Sequence, residues 1–369
     1  GYSTLPDEIL QSVNCETGYY TKGVNYAPEK LSATAIEGFF RCPYANFLSR
    51  GVKLLRREQS EMQQTTLGNL IHEVASEFTK VADFERGEQY AENLASEIFD
   101  SVCEKPEYSR YKKSADGGVA FSYIKREAVR FCKTIFSGVS HSSFKPEHLE
   151  IAFGYGKFPA ISVNTRTGVK KVIGKSDRVD VYLDKMTIID YKTGQVDTGE
   201  EELYTGRKLQ LYLYAKAFSD KYEPVGAYYF PVSDEFGKED DEFVMSMRGK
   251  TIADEKTAML IDDSITEQTP KGRYVSVNLS KSKEGKFKYP WNLLSRDEFS
   301  AYLTYAEKVA GEGLSEINEG VIIPSPVENA CAFCDFHGMC GYDEAIDNRT
   351  RKISGGVTKE MILQAAVTD

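Results

Sequence analysis

Apolar residues recur at helical spacing from about residue 31 to residue 139 and switch to strand spacing in the middle of the chain. A helix is expected from Leu31-Ser32-Ala33-Thr34 through Ile36, Phe39 and Phe40 to Cys42-Pro43. Ser32 or Thr34 can cap it, and Thr34 stands three before Glu37 as in a capping box. Leu67, Leu70, Ile71, Val74 and Phe78 make an apolar stripe for a helix over 62–82, and similar patterns follow at 86–104 and 117–139. Segments 148–155, 169–183 and 186–192 alternate or run β-branched and aromatic, which predicts strands, with Val179, Val181 and Leu183 on the face of Asp177. Helical spacing returns over 209–218, a buried strand follows at 226–230, and a long helix spans 296–318.

Helix, three strands, helix, strand is the order of an α/β core, a mixed central sheet flanked by helices. Residues 1–30, rich in Gly, Tyr and Asn, read as an arm or linker. One domain is expected over 31–345, with the charged, irregular stretch 233–290 as a surface insertion and 346–369 as a polar tail. No internal repeat is visible. The chain opens on Gly-Tyr-Ser rather than Met, which reads as an excised fragment of something longer.

Charge changes the picture first. With 46 basic against 56 acidic side chains the net charge is −10, which argues against a general electrostatic grip on nucleic acid. Local grips remain open, at Arg50, Lys53, Arg56 and Arg57, at Lys170, Lys171 and Lys175, and at Arg207 and Lys208; each also reads as a solvated face. No apolar run reaches the roughly 18–20 residues that span a bilayer. Seven cysteines is an odd count, and without signs of secretion it favours metal or free-thiol use over disulfides.

The candidate chemistry lies in two strands. Asp177, in Gly174-Lys175-Ser176-Asp177-Arg178-Val179-Asp180, stands thirteen residues before Asp190, in Ile188-Ile189-Asp190-Tyr191-Lys192-Thr193-Gly194. Strand alternation puts Asp190 and Lys192 on one face, and a hairpin can bring Asp177 beside them. Two carboxylates and an ammonium can hold a hard divalent cation and stabilise a reacting phosphate. By the same alternation Arg178 and Asp180 face away from Asp177, which suits a salt bridge. Glu150 opens the preceding strand and reads as bordering the site, with ligation as the alternative. His72 sits beside an apolar stripe, where a histidine is ordinarily a satisfied core residue. Gln210 and Tyr214 are one helical turn apart on one face, where packing is the plain reading. Cys331, Cys334 and Cys340 form a C-x2-C-x5-C cluster, to which His337 could add the fourth ligand of a zinc knuckle, while Cys15, Cys42, Cys103 and Cys132 are scattered.

Taken in order, His72, the G-x-x-D-R-x-D around Asp177, the I-D-Y-K-T-G around Asp190 and Gln210-x-x-x-Tyr214 resemble the PD-(D/E)XK nucleases of the RecB family, over roughly residues 31–345. Cys42-Pro43 early and Cys331, Cys334 and Cys340 late resemble the iron–sulphur staple of the AddB type of helicase–nuclease chain in bacteria and of CRISPR-associated exonucleases. The resemblance implies a [4Fe–4S] cluster on these four cysteines, and Mg²⁺ (or Mn²⁺) on Asp177, Asp190, the carbonyl of Tyr191 and His72. It implies Lys192 on the phosphate and Gln210, with Tyr214, near the lysine or the DNA backbone. It further implies a DNA exonuclease domain in the bacterial cytoplasm. Such a domain pairs with an AddA-type helicase–nuclease partner, resects broken ends for recombinational repair and trims the strand ending 5′. A stand-alone or CRISPR-associated exonuclease, and a catalytically inactive DNA-end-binding scaffold, are the competing readings.

Overall fold

The computed structural model of the chain describes residues 28–54, 64–112, 117–194, 196–232, 245–352 and 355–368. Most of the expected arm, Arg56 and Arg57, and residues 233–244 of the expected insertion lie outside the described residues. The first half supplies β1 (Lys30–Ser32), α1 (Ala33–Arg41), α2 (Pro43–Asn46), α3 (Gln64–Val81), α4 (Glu88–Cys103), α5 (Pro106–Lys112) and α6 (Gly117–Ser140). The sheet region follows with β2 (Lys145–Phe153), β3 (Ile161–Thr165), β4 (Gly168–Tyr182), β5 (Lys185–Lys192), α7 (Glu200–Tyr204), α8 (Gln210–Phe218) and β6 (Glu223–Pro231). The remainder adds β7 (Arg248–Ile252), α9 (Glu255–Ile261), β8 (Leu293–Leu294), α10 (Arg296–Asn318), α11 (His337–Cys340) and α12 (Lys359–Val367).

Among the described residues these strands form one mixed eight-stranded sheet in the order β1-β4-β5-β6-β7-β8, with β2 and β3 also paired to β4. The long β4 and β5 make the expected hairpin, Tyr182 opposite Lys185. Its turn takes Leu183 at φ 55°, so that side chain is 79% exposed and leaves the face of Asp177, contrary to the alternation read through it. The strand β3 escaped the sequence pattern because it is five residues long and half polar, Ile-Ser-Val-Asn-Thr.

Alternation on β5 separates two cores. Val179, Met186 and Ile188 pack with α1, α8 and α10, whereas Ile189, Tyr191, Tyr228 and Phe230 pack with Ile71 and Ala75 of α3 and with Phe131, Ile135 and Val139 of α6. Leu70, Val74 and Phe78 line a second stripe of α3 and bury against α4 and α6, so this helix is gripped on two sides. Ser32 caps α1, accepting from the Ala35 N–H at 3.2 Å. Thr34 and Glu37 make no capping box, and Glu37 reaches elsewhere. Ser295 and Glu298 form such a box on α10.

Two segments depart from the sequence expectation. As far as it is described, the stretch expected to be a surface insertion adds β7 to the sheet beside β6 and buries Met245, Ile265, Val275 and Val277 in the second core. The expected tail folds into α12, whose Ile362 is fully buried against α10, while Lys308 Nζ donates to the carbonyls of Ala365 and Thr368. Both segments are polar overall, and a few well-spaced apolar side chains suffice to anchor them.

On the face of β4 away from Asp177, Arg178 and Asp180 make the expected ion pair, Nε to Oδ1 at 2.7 Å and Nη2 to Oδ2 at 2.5 Å, both residues buried. Burial works against the guanidinium charge, and Asp180 outweighs it. Asp180→Ala is expected to destabilise the chain by about 3–5 kcal/mol, because an uncompensated charge stays buried. Urea unfolding followed by circular dichroism measures the loss, and an unchanged midpoint contradicts it.

Candidate active site

The register of three neighbouring strands lines up three carboxylates. Leu149 pairs with Arg178 and Ile151 with Ser176, so Glu150 of β2 stands level with Asp177 of β4. Arg178 pairs with Ile189, so the next position along puts Asp177 level with Asp190 of β5. Glu150 adopts φ 52°, a left-handed conformation that is costly for a side chain of its size. Gly174, three residues before Asp177, leaves room for two rings: a Cβ there would stand 2.7 Å from both Phe153 and Tyr214.

His72 enters from α3. Its Nδ1 lies 3.3 Å from Asp177 Oδ2, which also accepts the Tyr191 backbone N–H at 2.8 Å. The imidazole meets the Tyr191 ring edge to face at 5.6 Å, and Phe131 closes the far side of that ring at 5.2 Å. Burial lowers the affinity of His72 for its proton, but the Asp177 hydrogen bond and the surrounding carboxylates outweigh it and raise its pKa. One ligating atom from each of His72, Glu150 and Asp177 falls within 4.8 Å of the others. Lys175 pairs with Glu150 at the outer rim.

Asp190 is 3% exposed, and burial pushes its carboxyl up to about 6, with Lys192 opposing and Asp177 adding to the rise. Lys192 Nζ lies 2.5 Å from Asp190 Oδ2, a close, largely buried ion pair. Burial disfavours the ammonium, yet Asp190 overcomes it and raises the Lys192 pKa. The ammonium donates to Gln210 Oε1 at 2.9 Å, and Gln210 Nε2 donates in turn to the Tyr214 hydroxyl at 3.0 Å and Thr34 Oγ1 at 3.4 Å.

Thus His72, Asp177, Asp190, Lys192, Gln210 and Tyr214 gather as the sequence motifs suggested, and Tyr191 contributes its backbone to the same place. Glu150, read as bordering, lies inside ligating range of His72 and Asp177. Glu37 escaped the sequence reading altogether. It crosses from α1 to the start of α8, where Oε1 accepts the backbone N–H groups of Leu209 at 2.6 Å and Gln210 at 2.9 Å. Its only sequence signal was the three-residue spacing from Thr34, which pointed to a local cap instead.

The donor set of His72, Glu150 and Asp177, carboxylate oxygens and one imidazole, suits a hard divalent cation, with the buried Asp190 carboxylate level with Asp177 on the next strand. A separate cavity of about 250 Å³ is lined by Cys42, Cys331, Cys334 and Cys340 together, with His337 and Phe336 also on its wall. All four thiols are free. The Val327 N–H to the Arg41 carbonyl at 2.9 Å, and Arg351 on the Phe40 carbonyl, bring the two chain regions together. Burial, then Glu344 and the other cysteines, pushes the Cys331 thiol up to about 11. Cys103 and Cys132 are buried in the helical layer, and Cys15 lies outside the described residues.

Although Glu37 keeps some exposure as a residue, its carboxylate is enclosed, and burial pushes it up to about 7 from an ordinary 4.5. The folded chain therefore holds this proton more tightly than the unfolded one. The stability that Glu37 contributes is complete below pH 4.5 and is lost as pH rises through 7. Glu37→Gln is expected to remove that part of the pH dependence. Urea midpoints of both proteins between pH 4.5 and 7.5 measure it, and parallel curves overturn it.

The sequence model of the PD-(D/E)XK nuclease superfamily matches residues 30–341, from β1 past Cys340. Among curated relatives, chains named as one of the subunits of an ATP-dependent helicase/deoxyribonuclease are similar to this chain. The Clostridium tetani protein is 25% identical, across 90% of this chain and 32% of its own. The Clostridioides difficile protein is 25% identical across 98% and 35%, and the Anoxybacillus flavithermus protein 27% identical across 86% and 30%. The chain spans about a third of the length of these relatives. With the match covering the carboxylate row, His72 and Lys192, the chain belongs to the PD-(D/E)XK nuclease superfamily.

Proposed function

We propose that this chain is the nuclease domain of a helicase–deoxyribonuclease subunit, and that it hydrolyses phosphodiester bonds in DNA as an exonuclease, with Mg²⁺ or Mn²⁺. The level alignment of Asp177 with Asp190, with Lys192 against Asp190 and His72 against Asp177, is the observation that carries this reading. Asp177, Asp190, the Tyr191 carbonyl, Glu150 and His72 would hold the cation, which when bound acidifies water and offsets charge on the phosphate. Asp177 is pinned by the Tyr191 N–H, so its carboxylate is oriented before any ligand arrives. Lys192, kept cationic by Asp190 and aimed by Gln210, stabilises negative charge growing on the phosphate oxygens. Tyr214 and Glu37 hold Gln210 in place from its side chain and its backbone.

Cys42, Cys331, Cys334 and Cys340 would hold a [4Fe–4S] cluster with a structural role. A single zinc ion at about 2.3 Å from each sulphur would draw neighbouring sulphurs to about 3.8 Å. No three of these sulphurs lie within 4.8 Å of one another. That openness, and four thiols on one cavity wall, favour a larger group over a zinc knuckle with His337. By its resemblance to the AddB type, the domain would work beside a helicase–nuclease partner of the AddA type, resecting broken duplex ends and trimming the strand ending 5′. The names of its relatives, as subunits of an ATP-dependent helicase/deoxyribonuclease, support the helicase partner and the DNA substrate. No helix among the described residues is long and apolar enough to cross a membrane.

Asp190→Ala and Lys192→Ala are each expected to lower Mg²⁺-dependent cleavage of single-stranded DNA by about two to three orders of magnitude. Circular dichroism should be unchanged, and retained cleavage in both variants would sink the assignment. Anaerobically purified protein should be brown and carry iron and sulphide, and Cys340→Ser should lose both; a colourless protein holding zinc rejects the cluster.

A further inference from the structure

A lysine-rich stretch of this acidic chain is unused by the chemistry above. Between Ser280 and Trp291 run Lys281, Lys283, Lys286 and Lys288, interleaved with Phe287, Tyr289 and Trp291 and with Glu284 as the one acid. The segment is an ordered hairpin: Lys281 bridges Phe287, Ser282 donates its N–H to the Lys286 carbonyl at 2.7 Å, and Lys288 to that of Ser280 at 2.8 Å. Gly285 takes φ 79° at its tip. Lys281 is engaged by Glu255, whereas Lys283, Lys286 and Lys288 are exposed and form no ion pair with other described residues. Trp291 is 56% exposed and Tyr289 39%, their rings edge to face at 5.2 Å. Two neighbouring exposed rings form a contiguous apolar patch, the kind of surface that marks a binding site more than a ring exposed singly.

The hairpin leads into the edge strand β8. β6 runs parallel to β5, β7 antiparallel to β6, and β8 parallel to β7, so the chain approaches β8 from the side of the C-terminal end of β5, with Leu293 level with Thr187. Tyr229 lies level with Asp190 on one side and Arg248 on the other, and carries Lys192 and Lys208 over its ring at 5.2 and 5.6 Å. Trp291 is anchored by its backbone carbonyl, which accepts from the buried Lys250 at 2.5 Å. Three strand spacings separate β5 from β8, about 14 Å. On the helix that follows β5, Glu200 is paired with Lys250 and Glu202 with Arg207 at 2.8 Å.

We propose that the lysine–aromatic hairpin of residues 280–291 is a docking platform for single-stranded DNA leading to the catalytic carboxylates. Exposed rings stack bases of any sequence, and lysines between them neutralise phosphates; together these are the requirements for sequence-tolerant binding of a single strand. In a chain of net charge −10 the hairpin supplies the local grip that the whole lacks. The inference rests on the nuclease reading only in that the strand held is the strand cut.

Trp291 is the only tryptophan in the chain, so its fluorescence reports on this hairpin alone. Titration with a 20-nucleotide oligothymidylate in EDTA, where metal-dependent cleavage is off, should quench it. Lys286→Gln/Lys288→Gln should weaken binding of the fluorescein-labelled oligonucleotide about 10-fold and reduce the salt slope by about 1.4, two phosphate contacts on a single strand. Trp291→Ala should cost about 10-fold and Trp291→Phe much less. Hydrolysis of thymidine 5′-p-nitrophenyl phosphate with Mn²⁺, a diester too small to reach the hairpin, should be equal in all these proteins. Unmoved fluorescence, no binding, or unchanged affinity and salt slope in the lysine variant overturns the platform, and binding that the lysine variant retains would leave the hairpin to an acidic protein partner. Quenching by a chain that hydrolyses neither substrate would instead overturn the nuclease reading and leave the platform standing.

Discussion

Everything at the site depends on the register of β2, β4 and β5. A slip of one residue in either pairing would turn Glu150, Asp177 or Asp190 to the opposite face, because side chains alternate with period two. The register is held by what lies on either side of the carboxylate row. Val179 and Ile188 are buried in one core, and Ile189 and Tyr191 in the other, so a slip would bury charge and expose both cores at once. Arg178 and Asp180 lie on the same strand, so a shifted β4 would carry this buried pair as a unit to the opposite face. Asp190 is raised chiefly by burial, and the neighbouring Asp177 charge adds a repulsion to it. A cation relieves that repulsion.

One short helix ties the site to the cysteine cavity. α1 offers Thr34 and Glu37 to Gln210 at one end and runs out at Arg41-Cys42 at the other, where the extended backbone of Cys42 and the ring of Pro43 stop it. Gln210 then aims Lys192. The route from the cysteines to the reactive lysine is therefore one helix and two side chains long. Order in the cavity and order at the lysine share a single rigid element, whose inner face of Ala33, Ile36 and Phe39 is buried in the main core.

Much of this was legible in the chain. The stripe on α3, the long hairpin and the helix of residues 296–318 announce themselves because each repeats one period over many residues. Asp177, Asp190 and Lys192 were legible for the same reason: strand alternation alone decides which of their neighbours share a face. The short β3 and the polar segment around β7 were not, since a few apolar residues among charged ones look alike on a surface and on a sheet edge. Leu183 was misread because alternation carries no signal of where a strand yields to a two-residue turn.

What the sequence by itself determined is the order and chemistry of the parts: two strands bearing carboxylates, a lysine two residues past one of them, a histidine on an earlier helix and four cysteines at the ends. What only the tertiary structure decided is which parts meet across long stretches of chain. Glu150 became a neighbour of His72, and Glu37 a cap for α8 more than 170 residues away. The lysine–aromatic hairpin was brought to the edge strand β8 of the same sheet only through the pairing of β6, β7 and β8. The physical reason is that local spacing governs alternation and helical phase, whereas long-range proximity is set by the packing of both cores against one sheet, which no window of residues contains.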